Sequence, residues 1–152
     1  MARTKIDYGI DLGTTNSAIS RMENGEPTIK KTDTLKDTMP SCVYINKKEA
    51  IQVGDSAYNA LKRDRLKSMR GSGDFESNAF IEFKRTMGSD KSYSSSNLGK
   101  DLTSEELSAE VLKTLKSFVD ENVNSIVITV PAAFKNNQKE ATREAAKLAG
   151  FN

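Results

Sequence analysis

Apolar positions at Ile6, Tyr8 and Ile10 alternate with other residues, the period of a strand with one covered face. Asp7 and Gly9 interrupt the other side, and Asp11 arrives where the strand should end. The alternation resumes through Ala18 and Ile19 in a second strand over residues 17–21. Asn24-Gly25 signals a hairpin, and Pro27-Thr28-Ile29 opens a third strand, so the chain starts as an antiparallel meander. Residues 31–40 are polar and read as a connection ending in Met39-Pro40.

Short strands are expected over residues 41–46 and 51–54. Asp55 is suited to cap a helix starting near Ser56, with Ala57, Ala60 and Leu61 on its inner side. The basic run over residues 62–70 has no interleaved aromatics and reads as a solvated face. After the break at Gly71-Ser72-Gly73, a short helix is expected over residues 75–87, on which Lys84 is an ordinary surface lysine. Residues 88–101 form a serine-rich, mobile loop. Thr103 and Glu106 make a capping box with Leu102 and Leu107 as its staple. That helix buries Leu107, Val111, Leu115, Phe118 and Val119 and ends near Asn122. A strand over residues 125–130, rich in β-branched residues, is expected to be buried on both faces and is stopped by Pro131. A last helix over residues 137–149 carries Ala141, Ala145 and Leu148 inward, and the chain ends at Asn152 with no closing element, as though cut.

Composition narrows the chemistry. With 152 residues, one domain with a real core is the prior. Hydrophobic content of 36% and a mean hydropathy of −0.58 are polar for a compact domain, as if part of the core lay on residues outside this chain. Lys plus Arg is 23 against 21 Asp plus Glu, and a net charge of +2 gives no electrostatic case for nucleic acid or membrane. There is no histidine, which excludes Ser-His-Asp and Cys-His catalysis and argues against zinc. Cys42, the only cysteine, cannot form an internal disulfide and reads as a small strand hydrophobe. Residues 1–5 contain no apolar signal region, and a cytoplasmic chain is expected.

The candidate chemistry lies in the first turn, Asp11-Leu12-Gly13-Thr14-Thr15-Asn16-Ser17. Gly13 permits a turn that a side chain would obstruct, and the small polar residues can aim N–H groups and hydroxyls into one concavity, as an anion requires. Two like unit charges about 4 Å apart repel by roughly 4 kcal/mol at an effective dielectric near 20. A carboxylate facing phosphate therefore needs a cation between them. Mg²⁺ fits best, held by one or two carboxylates, phosphate oxygens and water. On the residues alone, a plain hairpin turn in which Asp11 and Asn16 bond the backbone remains equally open. No Walker loop or dinucleotide fingerprint is present.

Val127-Ile128-Thr129-Val130-Pro131-Ala132-Ala133-Phe134, then Gln138, Ala141-Thr142 and Ala149-Gly150-Phe151, form a long ordered pattern. Together with the stretch from Gly9 to Ser17, Phe83-Lys84-Arg85-Thr86-Met87-Gly88 and Ser108-Ala109-Glu110-Val111-Leu112-Lys113, it resembles the ATPase domain of the DnaK-like, seventy-kilodalton heat-shock chaperone family. The resemblance implies an α/β fold of the actin and sugar-kinase type, a ribonuclease H-like mixed sheet with flanking helices, of which this chain supplies most of the first lobe. Residues 1–38 and 103–152 would form its base and residues 39–102 an inserted, shortened peripheral subdomain. The second lobe and peptide-binding domain would be absent.

The same resemblance implies that Gly13, Thr14, Thr15 and Asn16 hold the phosphates of ATP or ADP. Asp11 would hold Mg²⁺ through water, and Lys84 would be the catalytic residue at the γ-phosphate. Pro131 and the position of Lys139 would relay nucleotide state to a peptide-binding domain. The intact protein would be a stress-response ATPase chaperone acting with unfolded client peptides and co-chaperones, and this N-terminal fragment alone would be inactive. Lys139 stands where the family has arginine, and a lysine cannot make arginine's planar bidentate contact. Ala133 and Lys135 also depart from the pattern. These departures motivate an alternative, a non-catalytic interaction module of the same fold. A sugar or acid kinase is a third reading, which the Val130-Pro131 and Phe83-Lys84-Arg85 matches oppose.

Overall fold

The computed structural model describes residues 6–71, 76–123 and 125–151. The expectations for residues 1–5, Ser72, Gly73, Phe75 and Asn152 lie outside them. The described residues form a mixed α/β fold with three sheets and three α-helices. Strands β1 (Tyr8–Leu12), β2 (Asn16–Glu23) and β3 (Glu26–Lys30) make the expected meander. Its second turn is Asn24-Gly25, where φ is +52° and +83°, the left-handed pair that a tight hairpin demands.

The polar connection yields one more strand than expected. Met39–Pro40, β4, pairs antiparallel with the start of β2, placing Asn16 opposite Pro40 and Ser17 opposite Met39. A second sheet holds β5 (Val43–Ile45), β6 (Ile51–Val53) and β7 (Ala79–Phe80) in the order β6-β5-β7. Helix α1 (Asp55–Met69) covers this sheet with Ala57, Ala60 and Leu61, and its basic run is largely exposed. Gly54, not Asp55, occupies its cap, and the Asp55 carboxylate accepts from Thr34 Oγ1 at 2.9 Å instead. Cys42 is fully buried with Ala57, Leu61 and Ala79, which pushes its thiol up to about 12.

Two expectations between residues 75 and 101 are corrected. The short helix is replaced by β7 and a 3₁₀ turn, Phe83–Thr86. The apolar cluster Phe80, Ile81, Phe83 is too dense to separate a strand from a helix by period. The serine-rich stretch is an ordered hairpin, β8 (Ser92–Ser95) and β9 (Lys100–Thr103). Its serines are anchored through buried Asn78, whose Oδ1 accepts from Ser95 Oγ at 2.8 Å and Asn97 N at 3.0 Å.

Helix α2 (Ser104–Ser117) has the expected capping box, with Thr103 Oγ1 accepting from Glu106 N at 3.1 Å. It stops at Ser117 rather than near Asn122, leaving Phe118 and Val119 half-buried. Strand β10 (Val127–Thr129) pairs parallel with β1 at the sheet's edge and is not buried on both faces, since Val127 is 55% exposed. Helix α3 (Asn136–Leu148) turns Ala141 and Ala145 inward but leaves Leu148 exposed, one position off its packed stripe. Tyr8, Ile10, Leu12 and Ile19 form the core with Leu107, Val111, Leu112 and Leu115. Because strand side chains alternate, this turns Gly9 and Asp11 to the sheet's other, open face. No helix among the described residues is long and apolar enough to cross a membrane.

Candidate functional site

Asp11 stands at the end of β1, exposed, beside Ala18 of β2 and Thr129 of β10. Thr129 Oγ1 donates to its Oδ1 at 3.2 Å, and among the described residues no arginine pairs with the carboxylate. Two residues later, at the end of β1, the chain reverses over Gly13-Thr14-Thr15. A Cβ on Gly13 would lie 2.0 Å from the carbonyl oxygen of Asn16, so the turn closes to a tightness open only to glycine. Thr15 and Asn16 are exposed and Thr14 half-buried, leaving a small polar rim facing outward beside Asp11.

Lys84 is not a surface lysine. It is 9% exposed, and its ammonium donates to the carbonyl oxygen of Leu12 at the base of the turn. The 3₁₀ turn carrying it is fixed by Thr86, whose Oγ1 lies 2.6 Å from Ser104 Oγ and 2.8 Å from the hydroxyl of Tyr93. Its Nζ also sits 5.6 Å from the ring centroid of Phe134, a cation–π contact. Burial pushes its pKa below the ordinary lysine value, and the negative field of Asp11 partly restores it. The site thus sets a buried cation and an exposed carboxylate on either side of one glycine turn.

The two other singled-out residues lie apart from the turn. Pro131 is exposed, and its carbonyl accepts from Phe134 N at 3.0 Å, which ties it to the ring under Lys84. Lys139 is exposed on α3 and, with Val130, Arg143 and Ile128, lines a groove of about 420 Å³ between α3 and β10. Asp11, the Gly13 turn and Lys84 converge. Lys139 faces elsewhere.

Sequence reasoning missed Thr129, Phe134 as a lysine partner, and Ser41. Thr129 meets Asp11 only through the parallel register of β1 and β10, which the period of neither strand encodes. Ser41, 24 residues beyond Ser17, contacts it through the unexpected β4 pairing. Among the described residues, no group of three or more His, Cys, Asp and Glu could hold a metal by protein ligands alone. A cation at Asp11 therefore requires oxygens from ligand and water.

A model of the family described as "Hsp70 protein" matches residues 7–152. Over 151 residues, 97% of the chain, the sequence is 40% identical to a chaperone protein DnaK of Mycoplasmopsis agalactiae, of which this covers 23%. It is 38% identical to a chaperone protein DnaK of Mesomycoplasma hyopneumoniae strain J over the same 97% of the chain, again 23% of that protein. A third, from Metamycoplasma hominis, is 38% identical over 95% of the chain and 22% of its own length. The chain spans less than a quarter of the length of these curated relatives.

Proposed function

This chain belongs to the Hsp70 protein family, and from that premise we propose that it is the phosphate-gripping part of an ATP-dependent chaperone. Nucleotide binding goes with the family, and the finer assignment to ATP or ADP with Mg²⁺ rests on the Gly13 turn. One observation carries it: an exposed carboxylate, Asp11, and a buried ammonium, Lys84, flank a glycine turn too tight for any side chain.

These residues fit the nucleotide. Thr14, Thr15 and Asn16 supply hydroxyl, amide and backbone donors for phosphate oxygens. Asp11 would hold Mg²⁺ through its water shell, and the ion when bound neutralises charge between that carboxylate and the phosphates. Lys84 places a fixed positive charge beneath the turn, where negative charge develops in phosphoryl transfer. Its contacts with the Leu12 carbonyl and the Phe134 ring hold it there before ligand arrives. Pro131, one hydrogen bond from Phe134, would sense the lysine's position, and Lys139, which lines the α3 groove, would pass that on. Residues 1–38 and 103–152 would act as the base of the lobe and residues 39–102 as its inserted part; the separate β6-β5-β7 sheet supports that division, while β4 at its start still pairs with the base sheet. Client peptides, co-chaperones and a cytoplasmic location belong to the same proposal.

Because Asp11, Thr15 and Asn16 are exposed, the described residues wall the nucleotide on one side only. The chain alone is expected to bind ATP weakly and not to turn it over. The test is a chimera in which this chain replaces the matching segment of the Mycoplasmopsis agalactiae relative. Hydrolysis that is retained, and lost on Lys84→Ala or Asp11→Asn, supports the proposal. Hydrolysis indifferent to both substitutions contradicts it.

A further inference from the structure

Behind the Gly13 turn lie two serines to which the phosphate reading gives no role. Ser17 and Ser41 are 1% and 2% exposed, and both hydroxyls touch Gly13. The Gly13 amide donates to Ser17 Oγ at 3.2 Å, and Ser41 Oγ donates to the Gly13 carbonyl at 2.8 Å. The two hydroxyl oxygens lie 2.7 Å apart. A hydroxyl has one proton to give. Ser41 gives its proton to the Gly13 carbonyl, so the bond between the serines must run from Ser17 to Ser41. The result is a closed ring in one sense: Gly13 amide to Ser17, Ser17 to Ser41, Ser41 back to the Gly13 carbonyl. Each member polarises the next, as in other hydrogen-bond chains. The Ser41 amide also donates to the Thr15 carbonyl at 2.9 Å, tying β4 to the far side of the turn.

The ring turns both the N–H and the C=O of Gly13 inward, fixing the two peptide planes on either side of its Cα and so the backbone from which Thr14, Thr15 and Asn16 project. We propose that Ser17 and Ser41 are positioning residues, holding the Gly13 backbone so that the outward rim of the turn is preformed for a polyphosphate. This rests on the phosphate reading above. Neither serine touches the ligand; each acts through Gly13. Preformation matters because an anion that had to order the turn itself would bind more weakly by that cost. Removing one hydroxyl leaves its buried partners without a counterpart and frees the peptide to rotate.

The test is nuclear magnetic resonance on the ¹⁵N-labelled full chain, titrated with inorganic triphosphate and Mg²⁺. In the wild type the Gly13 amide should exchange slowly although it lies in a turn, and the amides of residues 13–16 should shift on titration. Ser41→Ala should weaken triphosphate about tenfold while amide shifts of α2 stay unchanged. Ser41→Thr, which keeps the hydroxyl, should bind within about threefold of wild type. A merely structural role would move the melting temperature without this split between alanine and threonine. Fast exchange of the wild-type Gly13 amide, or undiminished triphosphate binding by a folded Ser41→Ala, overturns the proposal. If Ser41→Ala does not fold, Ser17→Ala and the wild-type exchange rate put the same question. A protected Gly13 amide with no triphosphate response anywhere in residues 13–16 overturns the phosphate reading itself, and the positioning role with it, while leaving the ring in place.

Discussion

Replacing Gly13 by alanine attacks the site at its narrowest point. The added Cβ would lie 2.0 Å from the carbonyl oxygen of Asn16 and 3.1 Å from its carbonyl carbon, both backbone atoms. Real Cβ contacts essentially never fall below 3.0 Å, so the turn must open by at least 1.0 Å, the difference between 3.0 and 2.0. No flexible side chain can absorb that movement. Overpacking of this kind costs about 1–3 kcal/mol. For a chain of this size each kcal/mol lowers the melting temperature by about 2–4 °C, which gives an expected loss of roughly 2–12 °C. Gly9→Ala is the matched control, since its Cβ would meet nothing closer than Ser20 Oγ at 3.6 Å, an ordinary contact. Thermal unfolding followed by circular dichroism should therefore show Gly13→Ala clearly destabilised and Gly9→Ala close to wild type. Triphosphate binding should fall in the first and persist in the second. Equal melting temperatures for Gly13→Ala and wild type, with binding retained, would refute the reasoning from turn tightness.

Other outcomes follow from the same packing. Burial holds the Lys84 ammonium below the ordinary lysine value of 10.5, so on approach to that pH the unfolded chain binds more protons than the folded one. The stability of wild type relative to Lys84→Met should therefore rise with pH through the window just below 10.5, and urea denaturation curves showing a flat difference would contradict a buried charged lysine. Cys42, fully buried with its thiol pushed up to about 12, should react with a thiol reagent at about pH 8 only as the chain unfolds. Rapid labelling of the native chain would place it elsewhere. Thr103→Ala removes the acceptor for Glu106 N and should cost about 1 kcal/mol, read as a lower urea midpoint with unchanged slope.

Much of this molecule could be read from residue order, where local rules govern. The meander followed from alternation and from Asn24-Gly25, and α2 from the Thr103–Glu106 box, because a turn or cap is specified within a few residues. Gly13 was legible for the same reason. Elements set by distant partners were not. The hairpin over residues 92–103 reads as a loop because serines carry no strand period, yet Asn78, just before β7, anchors it from outside. Strand β10 looked fully buried from its β-branched residues, but it is an edge strand, and its exposure depends on what lies beside it. Lys84 is the sharpest case. Its neighbours in sequence gave a surface lysine, whereas Leu12, 72 positions earlier, and Phe134 enclose it. The family resemblance suggests its role at the phosphate, and its burial is what supports that proposal physically.

Whether the Gly13 turn takes a magnesium–polyphosphate is open to direct measurement. Titrating the ¹⁵N-labelled chain with ATP, with and without Mg²⁺, and repeating it with Asp11→Asn measures this. Shifts should concentrate in residues 11–16 and at Lys84, stronger with Mg²⁺ present, with that magnesium dependence lost in Asp11→Asn. Shifts concentrated instead in the α3 groove around Lys139 and Arg143, or a response at the turn indifferent to both magnesium and Asp11, would contradict the phosphate reading.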